Sequence, residues 1–153
     1  MKKLVLLAVL LFSTSLFAQY EGYNLKELPG VYVSVQDPQN ILNDITVQKF
    51  ISDTRLKLLS AGIKTSVKEN PELVFRTTYI KSALAEERII TQIFLVEDVK
   101  VIRDKKEVST KAQTYSEGSF FTAPLAQMPK AVIDNFENLF VHFIDKYLKD
   151  NTK

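Results

Sequence analysis

The chain has 153 residues, 46% of them hydrophobic, with 20 basic and 18 acidic side chains, a single histidine and no cysteine. That length buries a core of its own and predicts one domain. The near balance of charge excludes a field-scale attraction to nucleic acid or an anionic membrane, and the lack of cysteine excludes disulfides and a lipid-modified cysteine.

Residues 1–18 read as a secretory signal peptide. Lys2 and Lys3 form the positive start, Leu4 to Phe12 are unbroken apolar residues, and Ser13 to Ala18 lead to a cleavage site between Ala18 and Gln19. Leu16 is larger than ideal at the third position before the cut. Leu4 to Phe17 is too short for a membrane span and carries Ser13, Thr14 and Ser15 within it. Without Lys2 and Lys3 the basic residues equal the 18 acidic ones, so the sequence pI of 8.7 belongs partly to the leader. The two-lysine start and brief polar approach are bacterial in style. They predict a periplasmic or secreted protein that is not a lipoprotein and has no transmembrane span after cleavage.

Residues 19–29 form an N-terminal arm with Tyr20, Tyr23 and Leu25, a single domain covers 30–149, and 150–153 is a short tail. Pro29-Gly30 signals a turn, and Val31 to Gln36 alternates as a strand. Pro38 disfavours helix at Asp37. Asn43 or Asp44 caps a helix running to about Ala61, in which Val47, Phe50, Ile51, Thr54, Leu58 and Ala61 form one stripe. Gly62 supplies its left-handed stop. A short strand over Ile63–Val67 precedes a break at Asn70-Pro71. Leu73–Leu84 is the next strand, with Leu73, Phe75 and Tyr79 on one face and Val74 and Ile80 on the other. A turn at Ala85-Glu86-Glu87 follows.

Arg88 to Phe121 is the dominant feature, a long hairpin turning at Arg103-Asp104-Lys105-Lys106. Ile89, Thr91, Ile93, Leu95, Val99 and Val101 share one parity of its first strand, and Ile90, Phe94, Val96 and Ile102 the other. Both faces therefore meet apolar neighbours, as in a central strand. The charges at Glu97-Asp98 predict a bulge or bend near them. Lys100, Arg103, Lys105 and Lys106 cluster around the turn, with Asp104 and Glu107 among them, as a solvated turn does. A neutral loop, Phe120 to Pro129, leads into a final helix. Its stripe is Val132, Ile133, Phe136, Leu139, Phe140, Phe143, Tyr147 and Leu148, and it ends near Lys149.

The predicted order is β-α-β-β-β-α: an α+β two-layer sandwich, with an antiparallel-rich sheet of about four to five strands and two helices on one face. In element order this is similar to the small periplasmic domains of outer-membrane assembly proteins, such as the one preceding the pore in curli-type secretion channels.

Catalytic chemistry finds few of its residues here. His142 has Asn138 and Asp145 within a turn, but two ligands do not make a metal site. Ser119 follows Gly118 outside any nucleophile-elbow pattern. Glu86-Glu87 and Glu97-Asp98 are adjacent pairs, which on a strand point apart rather than converge. The glycines, Gly22, Gly30, Gly62 and Gly118, make no phosphate-cradling loop. No enzyme, metal, cofactor or nucleic-acid role is expected.

The candidate site is apolar: Phe120, Phe121, Leu125 and Met128, within nine residues of a chargeless loop. The same four residues would be core if the loop roofs one end of the sheet. The expected function is an exported bacterial envelope protein. It would act as a non-enzymatic interaction or assembly module, binding a protein partner or a second copy through this loop or a sheet edge, either the first strand or Glu107–Ser116. The alternative is a periplasmic carrier of a small apolar ligand, held between the helices and the ribbon.

Overall fold

Hydrophobic parity decides the centre of this molecule, and the computed structural model describes it over residues 25, 26, 28–66, 71–81 and 87–152. The strands are β1 (Tyr32–Gln36), β2 (Glu72–Ile80), β3 (Glu87–Arg103) and β4 (Lys106–Ala123). The helices are α1 (Asp44–Ser60) and α2 (Met128–Asn151), the latter preceded by a 3-10 turn over Leu125–Gln127. The signal peptide, Tyr20 and Tyr23 lie outside the described residues, as do Ala85 and Glu86 of the predicted turn.

The sheet order is β1-β2-β3-β4. β1 runs parallel to β2, with α1 as the crossover such a pair needs, and the other two pairings are antiparallel. Phe50 of α1 and Phe136 of α2 both meet Phe75 of β2, at ring-centroid distances of 4.8 and 5.4 Å, so both helices cover one face. This is the α+β sandwich the sequence predicts. Among the described residues its sheet has four strands and is antiparallel but for the β1–β2 pairing.

On the helix-covered face the register builds rows: Leu73, Leu95 and Tyr115; Phe75, Ile93 and Glu117; Thr77, Thr91 and Ser119; Tyr79, Ile89 and Phe121. Phe136, Phe140 and Phe143 of α2 descend onto these rows, with Phe140 6.0 Å from Phe75 and Phe143 5.3 Å from Tyr115. On the uncovered face, Val74 and Phe94 are still buried. The Arg76 guanidinium lies 4.8 Å above the Phe94 ring, and Gln36 Oε1 accepts from Arg76 Nε and Nη2.

Local chemistry sets the element ends. Asn43 caps α1 by accepting from the Thr46 N–H at 2.8 Å, and Gly62 follows the helix with φ of +83°. Asp104 and Lys105 both have positive φ, the signature of a tight type I′ hairpin turn. Beside it Lys100 pairs with Glu107 at 2.5 Å, in keeping with a solvated basic turn.

Three expectations are corrected and one is located. The strand predicted over Ile63–Val67 reduces, within the described residues, to one parallel bridge between Thr65 and Val31. The bulge expected near Glu97-Asp98 is present as a register shift at Leu95/Val96, and its extra residue, Thr114, is on β4. Glu97 does take part, accepting from the Thr114 hydroxyl. The loop predicted from Phe120 to Pro129 is mostly regular structure, because β4 stays paired to β3 through Ala123 and only Pro124 separates it from the 3-10 turn. Leu148, placed in the buried stripe of α2, is exposed.

Among the described residues, β2 pairs with β3 as far as Val96, and β4 continues the pairing beyond it. The two-stranded ribbon therefore runs on past the sheet to Arg103–Lys106, carrying exposed Ile102 and Val108 near its tip.

Candidate interaction site

Consecutive strand residues point to opposite faces, and this separates Phe120 from Phe121. Phe121 pairs with Ile89 and packs against the core. Phe120 pairs with Ile90 on the uncovered face and is 60% exposed. Leu125, on the 3-10 turn, is 66% exposed, whereas Met128 at the start of α2 is only 3% exposed. The fold brings Leu125 and Met128 together and leaves the two phenylalanines elsewhere.

Leu125 and Met128 wall a notch of about 210 Å³, completed by Gln39, Asn40, Ile41, Tyr79 and Pro129. The loop after β1 supplies the opposite wall and is held by its own polar groups. Asp37 Oδ2 accepts from the Leu42 N–H at 2.6 Å, the Asn40 N–H donates to the Asp37 carbonyl at 3.1 Å, and Asn40 takes a left-handed φ of 53°. Asparagine is among the few residues that adopt this conformation readily.

The loop's tip carries a contact that sequence reasoning missed. Gln39 Oε1 accepts from the Tyr79 N–H at 2.7 Å, and Gln39 Nε2 donates to the Tyr79 carbonyl at 2.8 Å. One side-chain amide thus saturates both outward backbone groups of one β2 residue, just past the point where β1 stops pairing at Gln36–Arg76. The one available signal was Pro38: it lacks an N–H and ends the β1 ladder, leaving the β2 edge beyond it open.

Polar residues gather at two other places. Glu117 Oε1 lies 2.5 Å from His142 Nδ1, and Glu117 Oε2 accepts from the Tyr115 hydroxyl at 2.7 Å. The sequence set His142 beside Asp145, but the fold pairs it with a β4 residue 25 positions earlier. About two turns back along α2, Asn135 Oδ1 accepts from the Thr91 hydroxyl at 2.5 Å, and Asn135 Nδ2 reaches Ser119 Oγ at 3.5 Å. Ser119 is therefore engaged with an amide rather than with His142. Among the described residues no three His, Cys, Asp or Glu side chains converge as metal ligands, and no helix is long and apolar enough to cross a membrane.

A second notch, of about 310 Å³, lies between the helices, lined by Ile45, Phe50, Ile133 and the charged Lys49, Asp53 and Glu137. The space between helices and sheet, where an apolar ligand would sit, is filled by Phe50, Phe75, Phe136, Phe140 and Phe143, all at most 6% exposed.

No protein-family model matches the chain, and no curated protein matches it. Among solved structures it is similar to a minor lipoprotein from Acinetobacter baumannii, at 10% identity and a TM-score of 0.33 over 77% of this chain and 94% of that one. So slight a likeness carries no argument about fold or function.

Proposed function

We propose that this chain is an exported envelope protein that acts through non-enzymatic protein contact, with the notch beside Leu125 as its contact site. Export rests on the charged, apolar and polar succession of residues 1–18. Contact rests on one observation above the others: Leu125 is 66% exposed at the rim of an apolar notch that opens beside a stretch of β2 edge held by the Gln39 side chain rather than by a strand. An exposed apolar side chain next to a strand edge that only a side chain covers is what a protein partner buries. No catalytic role is assigned to Glu117, His142 or Ser119. A carrier role is less well supported, since aromatic rings fill the space between helices and sheet.

Native mass spectrometry of the protein purified gently from its own envelope fraction tests this. The expected result is a complex above the mass of Gln19–Lys153 that Leu125→Asp abolishes while leaving the thermal melt in place. A bare monomer, or a complex indifferent to Leu125→Asp, overturns it.

A further inference from the structure

We propose that the Gln39 carboxamide is a placeholder for an extended polypeptide segment. That segment docks on the outer edge of β2 at Tyr79 and seats one apolar side chain in the notch beside Leu125. The inference rests on the protein-contact function proposed above and adds the edge, the class of occupant and the group it displaces.

The chemistry of Gln39 identifies the occupant. A primary amide carries the donor and the acceptor of a peptide group, and here it uses both on a single backbone residue, at 2.7 and 2.8 Å. Those are the two bonds that a residue facing Tyr79 in an antiparallel strand would make. β1 cannot extend to make them, because its pairing ends at Gln36 and Pro38 has no N–H to offer. Tyr79 therefore presents a strand edge that its own sheet leaves to a side chain.

The notch lies where the docked side chain would fall. A residue directly opposite Tyr79 projects to the same face of the sheet as Tyr79. On that face Tyr79 itself, Ile41, Leu125, Met128 and Pro129 enclose about 210 Å³. This is below the range of roughly 300–1,000 Å³ typical of small-molecule sites and suits one side chain of the leucine, methionine or phenylalanine class. Exchange of Gln39 for a peptide replaces two hydrogen bonds by two, so burial of the apolar side chain against Leu125 supplies the net gain. The β4 edge is less receptive: it is interrupted by the bulge at Thr114 and carries Lys106 and Lys111.

The test pans a random linear heptapeptide phage library against the immobilised mature chain, then measures enriched peptides in solution against wild type and two variants. Gln39→Ala, at an exposed loop tip, removes the competitor and is expected to tighten binding about fivefold. Leu125→Asp is expected to weaken it at least tenfold, as is N-methylation of the peptide residue that pairs with Tyr79. No enrichment over bare resin overturns the proposal, as does affinity unchanged by Gln39→Ala or by N-methylation. If the envelope complex is lost in Leu125→Asp while peptide affinity ignores Gln39→Ala, strand pairing fails and the contact function stands. If there is neither complex nor peptide, both fall.

Discussion

Asp150, in the last turn of α2, accepts the backbone N–H of Leu25 at 3.1 Å, joining residues 125 positions apart. Asn151 Nδ2 donates to the Leu25 carbonyl at 3.0 Å, so the helix end satisfies both backbone groups while the Leu25 side chain is fully buried. The same device appears at Gln39 and Tyr79. In both places side-chain amides or carboxylates stand in for a neighbouring strand and satisfy backbone groups that no ladder reaches. The difference lies in exposure: Leu25 is sealed into the core, whereas the Gln39 contact faces solvent.

The Leu25 clamp has a pH signature. The Asp150 carboxyl is held below its ordinary value of 3.8, first by the hydrogen bond from Lys146 and then by the Leu25 N–H, against the opposing effect of burial. A carboxylate with a depressed folded pKa contributes stability that is present above the unfolded value and lost as pH falls through the folded one. The loss therefore begins near 3.8 and continues below it. Wild type is expected to exceed Asp150→Asn in stability by about 1 kcal/mol at neutral pH. Urea unfolding of both proteins should show that gap closing as the pH is lowered past 3.8. A gap of constant size would mean that the carboxylate's charge contributes nothing to holding Leu25.

The aromatic cluster should carry far more stability than the exposed ring of the predicted site. Phe136 is fully buried, 5.6 Å from Phe50 and 5.4 Å from Phe75 by ring centroid. Phe136→Ala is expected to cost about 3–5 kcal/mol through lost transfer energy and the cavity left behind. Phe120→Ala, on the uncovered face, is expected to stay within about 0.5 kcal/mol. Equal losses in chemical denaturation would mean that Phe120 is packed and that the uncovered face is covered in solution.

What the sequence discloses follows from periodicity, which reports faces but not pairings. Ile89, Ile93 and Leu95 alternate over a long enough run to declare a central strand, and Phe136, Leu139, Phe140 and Phe143 repeat closely enough to declare a buried helix face. Gly62 marks a helix end by its backbone alone. The run from Phe120 to Pro129 misleads because two prolines and no charge look like a loop, whereas pairing to Glu87–Ile90 keeps Phe120 to Ala123 in β4. A bulge is visible only as broken spacing, and Thr114 preserves the apolar pattern of β3 by lying on the opposite strand. Gln39 with Tyr79, and Glu117 with His142, are single side-chain contacts across loops and layers. Neither has a period, so periodicity reports neither, and Pro38 marks only the open edge that Gln39 fills.

The hydroxyl row through the core offers the sharpest test of the packing. Thr77, Thr91 and Ser119 are register partners across three strands, and Asn135 of α2 sits over them, accepting from Thr91 at 2.5 Å. Thr91 is fully buried between apolar rows, so its hydroxyl depends on Asn135 for a partner inside the protein. Thr91→Val leaves the Asn135 carbonyl oxygen without that donor, and Asn135→Leu strands the Thr91 hydroxyl. Each change alone is expected to cost about 1–3 kcal/mol, because an abandoned buried polar group loses its solvation without recompense. The double variant removes both polar groups and is expected to cost less than the sum of the two, with a coupling of about 1 kcal/mol or more. Urea unfolding of the four proteins measures that coupling directly. Strict additivity would mean that Thr91 and Asn135 do not act as a pair, and that the row is held by the apolar layers on either side of it.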